Sequence, residues 1–443
     1  MSGAATLPAR LARFRASHRA AGDGVAAATP SPGRGAALAE RLAGSVGGEV
    51  VDGPGGLVVR VEPPPLGVPL VRERLATLPG QPGATARLVC LDTETTGLGT
   101  AAGTLAFLVG LGWWEGASFR RLQLVCPDHG EEAALLAALE RALPPDAWLV
   151  TYNGRGFDWP LLVTRYRLHR RAAPAHAGML DLLPGVRRLF RHRLGDARLA
   201  TVEREILGVR REGDVGGWEI PGRYLDFVRG GAAAPLAPVL RHNAEDVASL
   251  ARLLAHLDAR YADPAERPSS PAGDLLALAR AYTRERRHEE ALACLDDAAS
   301  AWRPPIHGSS AWPFGVPAPA AAPVSVERIR AERARTLRRL GRADDALAAW
   351  EALAVEGGVG APRAWVEAAK IREHCRRDAP GALLAAEAAE AAARAVERTR
   401  LRGGGDPRFD AALAARLRRL RRRAARDVSP AAPAGASRAP RRA

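Results

Sequence analysis

Asp92 and Glu94, in Leu91-Asp92-Thr93-Glu94-Thr95-Thr96-Gly97, are spaced for chemistry. Side chains alternate across a strand, so two acids two positions apart share one side of it. Burying both is costly unless a cation compensates them. A hard divalent ion, Mg2+ or Mn2+, takes such oxygen ligands. On this pair alone, two solvated loop acids are an equally good reading. Thr95, Thr96 and Gly97 follow as a tight turn that a substrate backbone can approach.

Two more segments add acids. In Tyr152-Asn153-Gly154-Arg155-Gly156-Phe157-Asp158, a Gly-rich turn opens a helix at Asp158. An ordinary N-cap aspartate would account for Asp158, but it needs neither Asn153 nor Phe157. In His242-Asn243-Ala244-Glu245-Asp246, the histidine and the last acid stand four apart, on one helical face. Taken singly, that segment also reads as a solvated face.

The elements that must position these residues follow from periodicity. Short apolar runs bounded by turn residues predict strands at Arg87–Asp92, Thr104–Glu115, Phe119–Val125 and Trp148–Tyr152. Gly116–Ser118 suits a hairpin. Helices are expected over Glu131–Leu143, Asp158–His169, Leu180–Phe190, Leu199–Leu207, Gly222–Arg229 and Leu236–Tyr261. The sum is an α/β layered domain over 87–261. Before it, 1–45 reads as a disordered basic extension with one short helix around Leu7–His18, and 46–86 as a small β-like lead-in. The Pro- and Ser-rich stretch 262–273 reads as a linker.

Residues 274–400 read as all-α, interrupted by a Pro-rich insert at Arg303–Pro323. Ala279, Tyr282, Ala291, Leu295 and Ala298 are separated by 3, 9, 4 and 3, and Ala334, Leu337, Ala346, Trp350 and Leu353 repeat those separations. Ala382, Ala386 and Ala389 match the second half only. The pattern resembles the tetratricopeptide repeat, whose helical hairpins stack into a solenoid with a concave binding face. A generic helical bundle is the alternative in so Ala-rich a chain. Residues 401–443 read as a basic tail, partly disordered.

The chain has 443 residues, 47% hydrophobic and 26% charged, enough for a globular core of normal size. Its net charge of +15 excludes an acidic solvating protein and admits an anionic partner. Lys370 is the one lysine among 64 cations; with 45 Gly and 34 Pro, this marks a coding bias that accounts for much of the arginine. The excess sits at the ends: six Arg against Asp23 and Glu40 in 1–41, and twelve Arg against three Asp in 401–443. Cys90, Cys126, Cys294 and Cys375 form no C-x-x-C, so reduced thiols in a cytoplasmic protein are expected. The longest apolar run, Thr104–Trp114, has 11 residues where roughly 20 are needed to cross a bilayer, so no membrane partner is expected.

Several residues carry a plainer expectation. Asp181 reads as an N-cap or ion-pair partner at a helix entry, and Trp113-Trp114 as strand packing. Arg187, Arg188, Arg191 and Arg193, and the tail Arg416–Arg426, read either as phosphate contacts or as solvated arginine.

Taken in order, the acidic segments resemble the DEDD exonuclease superfamily on the ribonuclease-H-like fold. The D-x-E motif is met by Asp92 and Glu94, and N-x3-F/Y-D by Asn153, Phe157 and Asp158. The third motif is an Asp preceded by Tyr at minus four or His at minus five. Here Asp246 is preceded by His242 at minus four, a histidine at the tyrosine spacing. Leu199-Ala-Thr-Val-Glu203, Leu207-Gly208, Arg211, Gly217, Ile220-Pro221, Tyr224, His242-Asn243 and Asp246 narrow the likeness to the YprB-type ribonuclease-H-like family, whose members often carry tetratricopeptide-like repeats.

The resemblance implies a mixed sheet flanked by helices and hydrolysis of nucleic-acid phosphodiester bonds by two divalent ions, Mg2+ or Mn2+, from a 3′ end. It implies Asp92, Glu94, Asp158 and Asp246 as metal ligands, with His242 orienting or deprotonating the attacking water. Asn153 and Phe157 would shape the substrate side with Thr95 and Thr96. Nucleic acid is the expected partner, with a protein on the helical repeats. A binding scaffold that does not cut and a ribonuclease H-type endonuclease remain as alternatives.

Overall fold

The computed structural model describes residues 33–70, 82–83, 85–97, 103–262, 270–303, 324–399 and 406–428. The chain divides into two units, the first containing the sheet. In chain order it holds α1 (Arg34–Val46), β1 (Glu49–Gly53), β2 (Gly56–Val61), β3 (Leu66–Gly67), β4 (Arg87–Thr95), β5 (Ala106–Glu115) and β6 (Ser118–Val125). Then follow α2 (Glu132–Ala142), β7 (Ala147–Thr151), α3 (Asp158–Leu168), β8 (Gly178–Asp181), α4 (Ile220–Val228) and most of α5 (Ala237–Ala262).

The eight strands form one mixed sheet in the order β1-β2-β6-β5-β4-β7-β8, with β3 also on β6. β4–β7 and β7–β8 are parallel and the other pairs antiparallel. β4 is therefore interior, paired with β5 on one side and β7 on the other, and its Leu88–Leu91 run is buried throughout. Leu91, Phe107, Val109, Leu149, Leu161 and Tyr166 share one apolar core with α2, α3 and α4. Phe107 stacks on Tyr224, ring centroids 4.0 Å apart.

Three sequence expectations need correction here. Residues 34–45 are not extension but helix: Leu38, Ala39, Leu42 and Ala43 form one apolar face that enters the sheet's core. The 46–86 lead-in is not separate, because β2 pairs with β6 and continues the sheet, covering an edge that would otherwise be open. Leu180 and Asp181 belong to a strand. The helix begins at Leu182, because Met179–Asp181 pair in register with Leu149–Thr151. The helix expected around Leu7–His18 lies outside the described residues.

The second unit is helical. The helix Leu182–Phe190 from its second residue, the short helix Leu199–Val202 and the π-turn Glu203–Leu207 belong to it, not to the sheet domain as 87–261 implied. Within that unit the segment partners a buried acid, Asp274: Arg193 donates to it at 3.0 and 2.8 Å and His192 Nε2 stands at 3.0 Å. Arg193 also lies over Phe190, so it is structural and leaves the cluster that reads either as phosphate contacts or as solvated arginine.

α6 (Ala272–Arg284), α7 (His288–Ala301), α8 (Val326–Arg339), α9 (Ala343–Val355), α10 (Ala361–His374), α11 (Ala379–Thr399) and α12 (Pro407–Val428) complete it. Every position of the repeat pattern, from Ala279 to Ala389, is buried. The stretch read as a basic tail contains α12, which buries Leu413, Leu417 and Leu420 against Ala382, Ala386 and Ala389. Arg416 and Arg419 neutralise the buried Glu373. No helix among the described residues is long and apolar enough to cross a membrane.

Candidate active site

β4 carries the first acids as its alternation requires: Asp92 and Glu94 are half-buried, Thr93 and Thr95 buried. Asp92 lies opposite Gly110 and Glu94 opposite Leu108, and the register slips between Glu94 and Thr95. That slip bends the strand at the motif, and pairing resumes at Thr95 with Ala106. The threonine hydroxyls are used within the chain. Thr95 donates to the Gly97 carbonyl at 2.6 Å, and Thr96 Oγ1 accepts from the Leu105 amide at 2.9 Å.

The second motif is built around backbone shape. Asn153 has φ 67°, the left-handed region that asparagine tolerates better than most residues. Its carbonyl accepts from the amides of Gly156 and Phe157. A Cβ on Gly154 would meet the Thr151 side chain at 2.5 Å, so the turn is tight enough to need glycine. Asp181, at the end of β8, accepts from the amides of Asn153 at 2.8 Å and Arg155 at 3.4 Å. It holds this turn from the position just before the helix that begins at Leu182. Phe157 precedes the helix, and Asp158 is its first residue, buried, accepting from Thr93 Oγ1 at 2.5 Å. Asp158 thus reaches the first pair through the residue between them.

α5 supplies the third face. His242 Nε2 stands 3.9 Å from Glu94 Oε1 and 3.7 Å from Asp246 Oδ2. Asn243, fully buried, donates from Nδ2 to Asp92 Oδ2 at 2.9 Å. Its own Oδ1 accepts from Gln123 Nε2 at 2.9 Å, and the same Nε2 donates to the Leu240 carbonyl at 2.7 Å. Gly110 leaves the space: a Cβ there would lie 2.2 Å from Asn243 Oδ1.

The segment before α4 contributes two residues whose contacts the sequence did not reveal. Arg211 Nη2 donates to Asp246 Oδ1 at 2.5 Å, and its Nη1 stands 3.3 Å from Asp214 Oδ2. Asp214 Oδ1 stands 2.8 Å from His242 Nδ1. Arg211 had appeared only as a point of likeness, without a role; Asp214, Gln123 and Gly110 had not appeared. These partners are separated from their targets by tens of residues, with no periodicity to connect them.

The electrostatics are those of crowded acid. Burial, then the charges of Asp246, Asp158 and Glu94, hold the Asp92 carboxyl well above its ordinary range, against the Asn243 hydrogen bond. Burial, then Asp246, Asp158 and Asp214, do the same to Glu94, which Arg211 partly offsets. Burial pushes Asp158 up to about 6 despite the Thr93 hydrogen bond. Asp214 goes the other way: burial raises it, but the hydrogen bond and charge of His242 and the charge of Arg211 outweigh that.

This donor set fits hard divalent cations by its chemistry. Carboxylates whose acidity is suppressed by burial and by each other gain most when a cation joins them. Among the described residues, no three His, Cys, Asp or Glu side chains are grouped closely enough to hold a metal ion. Arg211 on Asp246 supplies part of the missing positive charge.

Residues 89–258 match the profile of the RNase_H superfamily, RNase_H_2. The chain is similar to the uncharacterized protein YprB of Bacillus subtilis (strain 168), with 35% identity over 211 residues, 47% of this chain and 51% of YprB. It spans about half the length of that curated relative.

Proposed function

We propose that the ribonuclease-H-like domain of this chain is a metal-dependent nuclease that removes nucleotides from the 3′ end of a nucleic-acid strand. The observation that carries this reading is the gathering of Glu94 and Asp246 around His242, beside Asp92, with the charge of Asp158 making Asp92 and Glu94 weaker acids. Evolution has little reason to crowd acids that disfavour one another unless cations join them.

Asp92, Glu94 and Asp246 would hold one divalent ion, Mg2+ or Mn2+, and Asp92 and Asp158 a second. Bound there, such ions lower the pKa of water and stabilise the oxygens of an in-line displacement. His242 Nε2 takes a proton from the attacking water. The water oxygen bonds to phosphorus, the bond to the departing sugar oxygen breaks, and that oxygen collects a proton from solvent. Phe157 would lie beneath the terminal base and Asn153 beside it, with the Thr95–Thr96 turn against the backbone.

The helical region would bind a protein partner. The buried repeat pattern supports this, as does a groove of about 480 Å³ whose lining includes Arg335, Arg363, Lys370, Trp350 and Phe409. A cytoplasmic location is supported by free cysteines, of which Cys90, Cys126 and Cys294 are buried.

One observation favours a binding scaffold that does not cut: Arg211 already neutralises Asp246. Incubating end-labelled single- and double-stranded DNA and RNA with the protein and Mn2+ separates the readings. A ladder from the 3′ end supports the exonuclease, internal cuts an endonuclease, and retention without cleavage the scaffold.

A further inference from the structure

His242 faces carboxylates from two directions. On the Nε2 side are Glu94 and Asp246, at 3.9 and 3.7 Å, beyond hydrogen-bond reach. On the Nδ1 side is Asp214, at 2.8 Å. A carboxylate can only accept, so a close approach to a bare Nδ1 would set lone pair against lone pair. Arg211 Nη1 stands 3.4 Å from the same nitrogen, a longer approach than that of Asp214. Arg211 also reaches Asp246 and the second oxygen of Asp214, which ties that carboxylate in place.

We infer that Asp214 is a positioning residue: it accepts the Nδ1 proton of His242 and so keeps Nε2 bare and turned toward Glu94 and Asp246. The side chain of Asp214 touches neither Glu94 nor Asp246 by hydrogen bond; it acts through the ring. The neutral imidazole has a free choice between tautomers, and only one leaves Nε2 able to take a proton. Its partner on the other nitrogen makes that choice, as the outer partners of metal-bound histidines do. The 211–214 segment thus closes on α5 twice, once at Asp246 and once at His242.

This inference rests on the proposed role of His242 as base, but its test does not need activity. The full chain, labelled with 15N-histidine and kept metal-free, is read by nitrogen NMR at a pH where imidazole is neutral. His242 is assigned by its loss in His242→Gln. The wild type should show the Nδ1–H tautomer, and Asp214→Ala should lose it, with the unfolding temperature of the variant confirming a folded chain. Where the wild type cuts, Asp214→Ala should lower kcat about 10–100-fold with KM within about twofold, and Mn2+ affinity should hold. An Nε2–H tautomer in the wild type, or an unchanged His242 signal in Asp214→Ala, overturns the inference. A wild type that cuts nothing overturns the nuclease reading and leaves the tautomer result to judge Asp214 alone.

Discussion

Asn243 Nδ2 holds Asp92 Oδ2 at 2.9 Å, so the neighbour of the candidate base fixes the orientation of the candidate central acid. That bond is itself held by Gln123 from β6. Asn243→Ala removes a partner from each of two polar side chains. It should cost about 1–3 kcal/mol of stability, the usual penalty for an unmet buried group, and lower activity at least about tenfold. Thermal unfolding and single-turnover rates on a labelled oligonucleotide check both. An activity loss without a stability loss would mean that Gln123 finds another acceptor.

Asp92→Asn should abolish hydrolysis yet raise the unfolding temperature in chelator, because burial and three neighbouring acids oppose its charge. Activity that survives in a purified variant would place the chemistry elsewhere.

Asp158 makes a pH prediction with a fixed sign. Its folded carboxyl lies at about 6, above its value of 3.8 when free. A group raised in this way gives its full stability below pH 3.8 and loses it as pH rises through about 6. The metal-free wild type should therefore lose about 2 kcal/mol relative to Asp158→Asn between pH 4 and 7.5. Mn2+ should shrink that difference by binding the charged form. Denaturant melts of both proteins across that range measure it; a constant difference would show that Asp158 titrates as in a free peptide.

His242→Ala should lower turnover about 10²–10⁴-fold, the common share of acid–base catalysis, while Mn2+ binding survives. His242→Tyr places at this spacing the residue that the tyrosine subclass uses, and should retain more activity than alanine. A loss of less than about tenfold in His242→Ala would reduce His242 to a packing role.

Deleting the basic end is not a clean test of nucleic-acid contact, since α12 buries leucines and satisfies Glu373. Neutralising the exposed Arg418, Arg422 and Arg423 is cleaner. If they meet phosphates, the slope of log K against log salt should flatten by about 2–3. An unchanged slope would make them a product of composition.

What the sequence displayed and what it hid divide along physical lines. Asp92, Glu94, Asp158, His242 and Asp246 lie in short spacings on single elements, where period 2 or 3.6 dictates a shared face. Asp214, Gln123 and Gly110 act across elements, through distances that no local period encodes. The last two residues of β8 read as helix because Leu180–Phe190 carries apolar residues at helical spacing, and only pairing with β7 makes Gly178–Asp181 a strand. α1 hid in an Ala- and Gly-biased stretch, where four small or branched apolar residues give little contrast to read. The repeat pattern survived that bias because it spans two helices at a time, and all its members are interior.

Gly110 sets a limit on how this protein can change. It has no chemistry of its own, yet any side chain there collides with Asn243, which orients Asp92. A mutation at the glycine therefore reaches the acid through two intermediaries. The same holds in reverse: Asn243 can shrink without consequence for Gly110, but the glycine cannot grow until Asn243 has gone. Substitution along this line is ordered in time, and a lineage that keeps Asp92 in use keeps its smallest neighbour with it.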